Sequence, residues 1–272
     1  MMTDRAVQPT FSRRQAVVRA AAQFLLAQDV RALPVNPHAL AHACGWRVST
    51  YAKAADKLEL PLSEIIETYG TRDAFTVLRK RPVIFYNDTL RSQERIRFSL
   101  CHEIGHIALG HFDCHPVDGL SSEQRLLLDR EAHAFAANLL APPAVVNALK
   151  PSHRENGAAL FGMSKEAWAI RLQTLEDDLA SLGESLAARQ LQQFDAWMHT
   201  ARCRQCGLTQ QSTVCARCGS TQMAWVPDGT PLTQDFPWRG VSWRTAFSPV
   251  ARPVKGGLML EKELDNPMLL DE

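Results

Sequence analysis

Two histidines and a glutamate within one ten-residue segment could bind and use a metal ion. The segment Cys101–Gly110 contains His102, Glu103 and His106 in the order His-Glu-x-x-His. On a helix, residues four positions apart lie one above the other, so both imidazoles point at one position and the carboxylate lies on the neighbouring edge. A zinc ion held by three protein ligands activates water, and a nearby carboxylate can take the proton. The pattern therefore predicts a catalytic zinc site, with Glu103 as the catalytic carboxylate.

The residues around this motif predict a helix with one apolar face. Ile96 and Leu100 precede the motif, and Ile104 and Ile107 continue the same stripe. A stripe of this kind faces a protein core rather than solvent. This context favours a metal site over two histidines that are merely satisfied by hydrogen bonds.

The third protein ligand must come from elsewhere in the chain. The longer metzincin pattern, His-Glu-x-x-His-x-x-Gly-x-x-His, needs Gly and His where this chain has Leu109 and Phe112. His111 is one residue out of register, a rotation of about 100° on a helix. We interpret His111 as a helix-end histidine.

A second helix, predicted over Ser122–Leu140, offers three candidate ligands. Glu131 lies on its apolar stripe, and an ionised carboxylate in an apolar interior must be paired or must bind a metal. Glu131 is therefore the predicted third ligand. Asp129 and His133, on an adjacent face, are the alternatives, and either could instead hold a ligating imidazole in one tautomer.

Three passages of the chain resemble the ImmA/IrrE family of bacterial metallopeptidases. They are Val83–Asn87 followed by Arg95–His106, then Asp129–Pro142, and then Leu160–Leu172. The resemblance covers about residues 15–180. It implies zinc held by His102, His106 and Glu131, with Glu103 as the catalytic carboxylate.

The family resemblance also implies a partner. Members of that family typically cut a helix-turn-helix (Xre-type) repressor and so release stress, mobile-element or prophage genes. The chain departs from the family pattern at Cys101, where a small residue is usual, at Asp129, where Glu is common, and at His133, where Asn or Asp is common. A cysteine-rich C-terminal region is the fourth departure.

Composition limits the other functions that the chain could have. A length of 272 residues with 46% hydrophobic residues can bury a core, and a net charge of +1 gives no global attraction to nucleic acid or membrane. No apolar run reaches the length of a bilayer span. The helix predicted at Ala16–Ala27 lacks a signal-peptide cleavage pattern, and we expect a cytoplasmic protein.

The predicted fold class is α+β, with a mainly helical zincin-like catalytic domain that contains a small sheet, followed by a small zinc-ribbon domain. The predicted divisions are a metallopeptidase domain at 1–150, a helical extension packed on it at 151–199, a zinc ribbon with a basic and aromatic segment at 200–256, and an acidic flexible tail at 257–272. A helix-turn-helix that reads DNA is the alternative for the extension, which lacks a basic face.

Short strands are predicted near Trp46–Thr50, Ala74–Leu78 and Val83–Tyr86. Metallopeptidases of this layout commonly let the substrate add a strand to an exposed sheet edge. The candidate substrate-binding edge consists of Val83, Ile84, Phe85 and Tyr86. A fully paired core strand is an equally supported alternative, because these residues alternate poorly between apolar and polar.

Four cysteines near the C-terminus predict a second metal site. Cys203 and Cys206 form one Cys-x-x-Cys pair and Cys215 and Cys218 form another, each followed by glycine. Four thiolates complete a tetrahedral zinc site and leave no position for water, so this ion would be structural. The prediction is therefore two zinc ions per chain, one catalytic and one structural.

The segment around these cysteines is basic. Thr200–Gly256 contains seven basic and two acidic side chains, together with three tryptophans. This composition suits a protein partner slightly better than nucleic acid, although nucleic-acid contact through the ribbon stays open. The rival interpretation of the whole chain is a catalytically inactive, zinc-binding transcription regulator or adaptor that uses this basic ribbon.

Overall fold

A computed structural model describes residues 11–227 of the chain, except residues 70, 72, 79 and 115–119. The predicted basic and aromatic residues at 228–256 and the predicted acidic tail at 257–272 lie outside the described residues. Among the helices in the described ranges, none combines the length and the apolar character needed to cross a membrane.

The described part of the chain forms twelve helices and six short strands. The helices are α1 (Phe11–Ala27), α2 (Pro37–Ala43), α3 (Tyr51–Leu58), α4 (Leu62–Tyr69), α5 (Gln93–Ala108), α6 (His111–Cys114), α7 (Ser122–Leu140), α8 (Pro143–Ala148), α9 (Pro151–Arg154), α10 (Gly157–Phe161), α11 (Lys165–Leu182) and α12 (Glu184–His199). The strands are β1 (Arg47–Thr50), β2 (Ala74–Val77), β3 (Val83–Tyr86), β4 (Ala201–Cys203), β5 (Thr209–Gln210) and β6 (Met223–Trp225). The prediction of a mainly helical α+β fold is confirmed.

The core of the molecule forms where helices α5 and α7 pack against each other and α1 packs on α7 and α11. Leu100 and Ile104 of α5 and Phe135 of α7 are fully buried. Burial of each such side chain contributes about 1.5–3 kcal/mol to the free energy of folding. Helix α7 begins at a capping box, in which the side chains of Ser121 and Gln124 each accept from the other's backbone amide.

A buried ionic network joins α7 to α1 and α11. Arg171 of α11 is 1% exposed and donates to Asp178 at 2.5 Å. Asp178 also accepts from Asn138 of α7 at 3.1 Å and from Arg14 of α1 at 2.8 Å. Removing one partner of a buried ion pair costs about 3–5 kcal/mol, because a lone charge is left behind. The network therefore opposes rotation of α7, and this rotation determines which of its side chains face α5.

The first sheet has the strand order β1-β3-β2, with β1 parallel and β2 antiparallel to β3. Strand β3 is hydrogen-bonded on both sides, so the prediction that Val83–Tyr86 forms an exposed edge is wrong and the paired-strand alternative is correct. Its central residue Ile84 is fully buried. Within the described residues, β2 is an edge strand of this sheet.

The second sheet, in the order β5-β4-β6, follows helix α12. Trp225 of β6 is fully buried, and its ring lies edge-on to that of Trp197 of α12 at 5.6 Å between centroids. Its indole N–H donates to the backbone oxygen of Trp197 at 3.3 Å. Helices α11 and α12 pack on α1 and α8. The proposed domain boundaries stay predictions.

Candidate metal centres

The two histidines of the His-Glu-x-x-His motif converge with a carboxylate of α7. The Nε2 atoms of His102 and His106 lie 3.1 Å apart, and Oδ1 of Asp129 lies 3.3 Å from His102 Nε2. All three ligand atoms lie within 4.8 Å of one another. Tetrahedral zinc with bonds of about 2.0–2.1 Å places neighbouring ligand atoms roughly 3.4 Å apart. The donor set and its spacing therefore fit a zinc ion.

The predicted third ligand, Glu131, does not belong to this group, and the structure places the alternative, Asp129, there instead. Glu131 is 5% exposed, so its burial was predicted correctly. Its carboxylate is paired with other partners: Oε1 accepts from Nε of Arg13 at 2.5 Å, and Oε2 lies 3.3 Å from Nε2 of His111. Side chains two residues apart on a helix point in directions that differ by about 200°. Asp129 and Glu131 therefore cannot both face His102 and His106.

Hydrogen-bond partners keep the buried carboxyl group of Glu131 ionised. Burial alone would raise its pKa, but hydrogen bonds with His111 and Arg13 outweigh burial and lower the pKa to about 2. The rule that a buried carboxylate is either paired or bound to metal is therefore satisfied by pairing.

His111 is not one of the three candidate ligands and does not line the cavity, as its register predicts, but its ring contacts one of the ligands. Helix α5 ends at Ala108, the chain turns at Leu109 and Gly110, and α6 begins at His111. This turn places the His111 ring against the side of His106 that faces away from the metal position, with Nδ1 of His111 3.0 Å from Nδ1 of His106. The glycine after an apolar helix was the sequence signal for this turn.

Helices α5 and α7 approach each other closely at Gly105. A Cβ atom at this position would lie 3.2 Å from both the backbone oxygen of Ala132 and the ring of Phe135. Contacts this short are crowded, so a larger residue would push the helices apart. Glycine inside the motif therefore permits the approach that brings Asp129 to the histidines.

The protonation states of His106 and Asp129 suit metal binding. Burial, together with the neighbouring His102 and His111, lowers the pKa of His106 to about 3, so its imidazole is neutral at neutral pH. Hydrogen bonds with His102 and His133 lower the pKa of Asp129 well below its ordinary value. A neutral imidazole and an ionised carboxylate are the forms that ligate a metal.

Glu103 lies beside the ligands and against the edge strand β2. It is 8% exposed, and burial raises the pKa of its carboxyl group. Thr76 of β2 opposes that effect by donating from Oγ1 to Oε2 of Glu103 at 2.7 Å. A carboxylate with a raised pKa is a more effective proton acceptor near neutral pH.

A cavity of about 500 Å³ opens over these residues. Its lining comprises Thr71, Asp73, Ala74, Arg95, Phe98, Ser99, His102, Glu103, His106, Asp129 and His133. His133 donates from Nδ1 to the backbone oxygen of Asp129 at 2.8 Å, and its ring centroid lies 4.4 Å from that of His102. Its hydrogen bond with the Asp129 carboxylate raises the pKa of His133.

The four predicted cysteines also lie together, in the segment that carries β4 to β6. The Sγ atoms of Cys203 and Cys218 are 3.6 Å apart and those of Cys206 and Cys215 are 3.4 Å apart. A disulfide would need about 2.05 Å, whereas tetrahedral zinc with bonds of about 2.3 Å separates its sulfur ligands by roughly 3.8 Å. The arrangement is compatible with a zinc ribbon.

Two tight turns present these thiols. The amide of Gly207 donates to the oxygen of Cys203 at 3.0 Å, and the amide of Gly219 donates to that of Cys215 at 2.9 Å. Both glycines have positive φ, at 75° and 69°, where other residues are strained. A hydrogen bond from the backbone of Cys206 lowers the pKa of Cys203 to about 6. This donor stabilises the thiolate of Cys203, which is the metal-binding form.

A comparison with family models covers the first of the two candidate metal centres. The model described as Peptidase_M78, IrrE N-terminal-like domain, matches residues 64–173. This range contains all three candidate ligands and Glu103, and it confirms the resemblance to the ImmA/IrrE family. The cysteine cluster lies outside the matched residues. No curated protein matches the chain.

Proposed function

We propose that this chain is a zinc-dependent endopeptidase with a helix-turn-helix repressor as its substrate. The premise is that residues 64–173 form an IrrE N-terminal-like metallopeptidase domain. The observation that carries the proposal is the convergence of His102, His106 and Asp129 beside the buried carboxylate of Glu103. The rival interpretation, an inactive adaptor, gives no reason for a complete ligand set to lie next to a carboxylate suited to general-base catalysis.

The chemistry follows from the residues around the cavity. His102, His106 and Asp129 would hold the zinc ion, which when bound polarises a peptide carbonyl and makes water more acidic. Glu103 accepts a proton from water and returns it to the leaving nitrogen. The hydrogen bond from Thr76 orients the Glu103 carboxylate for both transfers.

His133 is our candidate for stabilising the oxyanion that develops on the scissile carbonyl. It lines the cavity, and its contact with Asp129 both orients the ring and favours the protonated form. A donor fixed in place before the reaction contributes about 10²- to 10³-fold to turnover. His133 is therefore expected to act on kcat more than on zinc binding.

Strand β2 supports an extended substrate. Its Thr76 contacts Glu103, and among the described residues β2 pairs only with β3, which leaves its outer edge available. A peptide that adds to this edge as a strand would place its main chain beside the catalytic carboxylate. The choice of a helix-turn-helix repressor rests on the resemblance to the ImmA/IrrE family.

The experiment that tests this function is incubation of the full chain with a helix-turn-helix repressor encoded beside it, followed by intact-mass measurement. We expect one defined cut that requires zinc. Glu103→Gln should keep its zinc but lower the rate by about two to four orders of magnitude. Glu176→Gln, an exposed glutamate of α11, is the matched control and should cut normally.

Two outcomes would contradict the proposal in different ways. Cleavage by Glu103→Gln at the wild-type rate would exclude the assigned chemistry. Zinc-dependent cleavage of unrelated unfolded proteins as fast as of the repressor would instead exclude the narrow substrate.

We further propose that Cys203, Cys206, Cys215 and Cys218 hold a second, structural zinc ion. Support comes from the sulfur spacing and from the two turns that direct all four thiols to one point. Metal analysis should give two zinc ions per chain, of which a mild chelator removes one together with proteolysis. A single tightly held ion, together with salt-sensitive DNA binding, would favour the adaptor.

A further inference from the structure

A chain of contacts leads from the candidate ligand His106 away from the cavity. Its Nδ1 lies 3.0 Å from Nδ1 of His111, and Nε2 of His111 lies 3.3 Å from Oε2 of Glu131. Both oxygens of Glu131 also accept from Arg13 of α1, Oε1 from Nε at 2.5 Å and Oε2 from Nη2 at 3.0 Å. His111 and Glu131 are 7% and 5% exposed. Four side chains from four helices are thus connected in series, and the proposed chemistry gives a role only to His106.

The direction of each hydrogen bond in this series of side chains follows from the metal-facing nitrogen of His106. Nε2 of His106 faces Nε2 of His102 at the candidate metal position, so this nitrogen must offer its lone pair and the ring proton must reside on Nδ1. Nδ1 of His111 must then accept, which leaves its proton on Nε2, facing the Glu131 carboxylate. Each contact has one donor and one acceptor in this arrangement, and in no other arrangement that leaves His106 free to bind a metal.

We propose that His111 and Glu131 are positioning residues for the catalytic metal, because they hold His106 in the Nδ1–H tautomer and in the rotation that aims Nε2 at the ion. Outer partners of this kind orient a ligating imidazole and make it more basic. Here the partner of the ligand is a second histidine, and the carboxylate acts through it. This assignment gives a reason for the burial of Glu131, which sequence patterning attributed to metal ligation.

The series also connects the N-terminal helix to the metal site. Arg13 belongs to α1, which lies outside residues 64–173, the range that the peptidase-domain model matches. Arg13 is 45% exposed in its side chain, so its ion pair with Glu131 is partly screened by solvent. We therefore assign Arg13 to anchoring the carboxylate, and the Glu131–His111 contact to orienting the ligand.

The inference rests on the proposed zinc site, and the experiment separates the two. Zinc affinity of the full chain is measured by competition with chelators, and the ion of the cysteine cluster serves as an internal reference. His111→Phe keeps a ring of similar size but removes both nitrogens, and it should weaken the His102–His106–Asp129 site by about 10- to 100-fold. The cysteine site should not change.

Two further variants test the order of the series. Glu131→Gln retains an oxygen that can accept from His111, so it should weaken zinc binding less than His111→Phe does. Arg13→Leu breaks the ion pair but leaves the carboxylate next to His111, and it should weaken zinc binding least. Equal losses in Arg13→Leu and His111→Phe would overturn the inference, because they would reflect helix packing rather than orientation of a ligand.

Imidazole nitrogen NMR of the zinc-loaded wild-type chain tests the proposal without a mutation, and so decides it even if His111→Phe fails to fold. The expected spectrum has His106 protonated on Nδ1 and His111 protonated on Nε2. His111 protonated on Nδ1, or wild-type zinc affinity in a folded His111→Phe variant, would overturn the inference alone. A wild-type chain that binds zinc only at its cysteines would overturn the proposed function as well.

Discussion

The two candidate metal centres differ in what places their ligands. His102, His106 and Asp129 come from two helices that are held by buried side chains and by the ionic network around Arg171. The cysteines come from two turns joined to strands of two or three residues, with Trp225 as their buried anchor. The first centre can therefore exist before the ion arrives, whereas the second is held by short strand pairs and turn hydrogen bonds, so an ion would contribute more to its stability.

This difference would determine what a zinc ion contributes at each of the two proposed sites. A site on preformed helices uses the ion for chemistry, so its loss should remove activity and leave the fold. A site on short turns uses the ion for folding, since the free energy of binding is then largely the free energy of ordering the segment.

The largest expected effect is at Asp129. Asp129→Ala should lose the catalytic zinc and all measurable peptide cleavage. Glu131→Gln should keep both, with its zinc affinity and its cleavage rate each reduced by about tenfold. The two carboxylates lie two residues apart on one helix, so each variant controls for the other. Zinc content and cleavage of a short peptide are the measurements. If Glu131→Gln lost the ion and Asp129→Ala kept it, the ligand assignment from the structure would be reversed.

A smaller loss is expected at His133. His133→Ala should lower kcat by about a hundredfold at saturating zinc with little change in KM, because the removed group acts on charge that develops during the reaction. His42→Ala, at an exposed histidine of α2, is the control. Steady-state kinetics on a short peptide measure both. A change in KM alone would mean that His133 binds substrate and does not stabilise the transition state.

Thr76 should affect the pH dependence more than the maximal rate. Its hydroxyl lowers the pKa of Glu103, which burial raises, and the carboxyl group must be ionised to accept a proton. Thr76→Val should therefore raise this pKa further and move the acid limb of kcat/KM to higher pH, with the rate on the alkaline side nearly unchanged. An acid limb that stayed in place or moved to lower pH would show that Glu103 is not the group that titrates.

The smallest effect on catalysis should come from the cysteine cluster. Cys215→Ser should release the structural ion and expose Trp225, which shifts tryptophan emission to longer wavelength. Cleavage of a short peptide should change by about twofold or less, since the two centres share no ligand and independent sites are additive to about 0.3–0.5 kcal/mol. A large loss of short-peptide cleavage would mean that the ribbon supports the catalytic helices directly.

Local spacing was sufficient to predict the residues that lie within one helix or one turn. His102 and His106 are four residues apart on α5, and the paired Cys-x-x-Cys turns bring the four thiols together. The bounds of α7 agree with the predicted range of about Ser122–Leu140; Ser121 caps its start and Pro142 follows its end. In each case the determining interaction lies within a few residues of the chain.

Contacts between distant elements could not be predicted in the same way. Sequence patterning correctly identified Glu131 as buried, but whether a buried carboxylate meets a metal, an arginine or a histidine depends on α1 and α6, which are far from it in sequence. The position of β3 at the centre of its sheet depends on where β2 pairs. Helices α3 and α4 were not predicted, since the short segment that they share has no long apolar period.

Within the described residues the outer edge of β2 has no strand partner, and the proposed addition of a substrate strand there has a consequence for the choice of target. A polypeptide can join that strand only after it has given up its own internal hydrogen bonds over several residues, so a segment inside a stable helix is protected until it melts. Cleavage would then follow how often the target opens at the scissile segment. Any signal that loosens the target there could trigger its destruction, with no change in the protease.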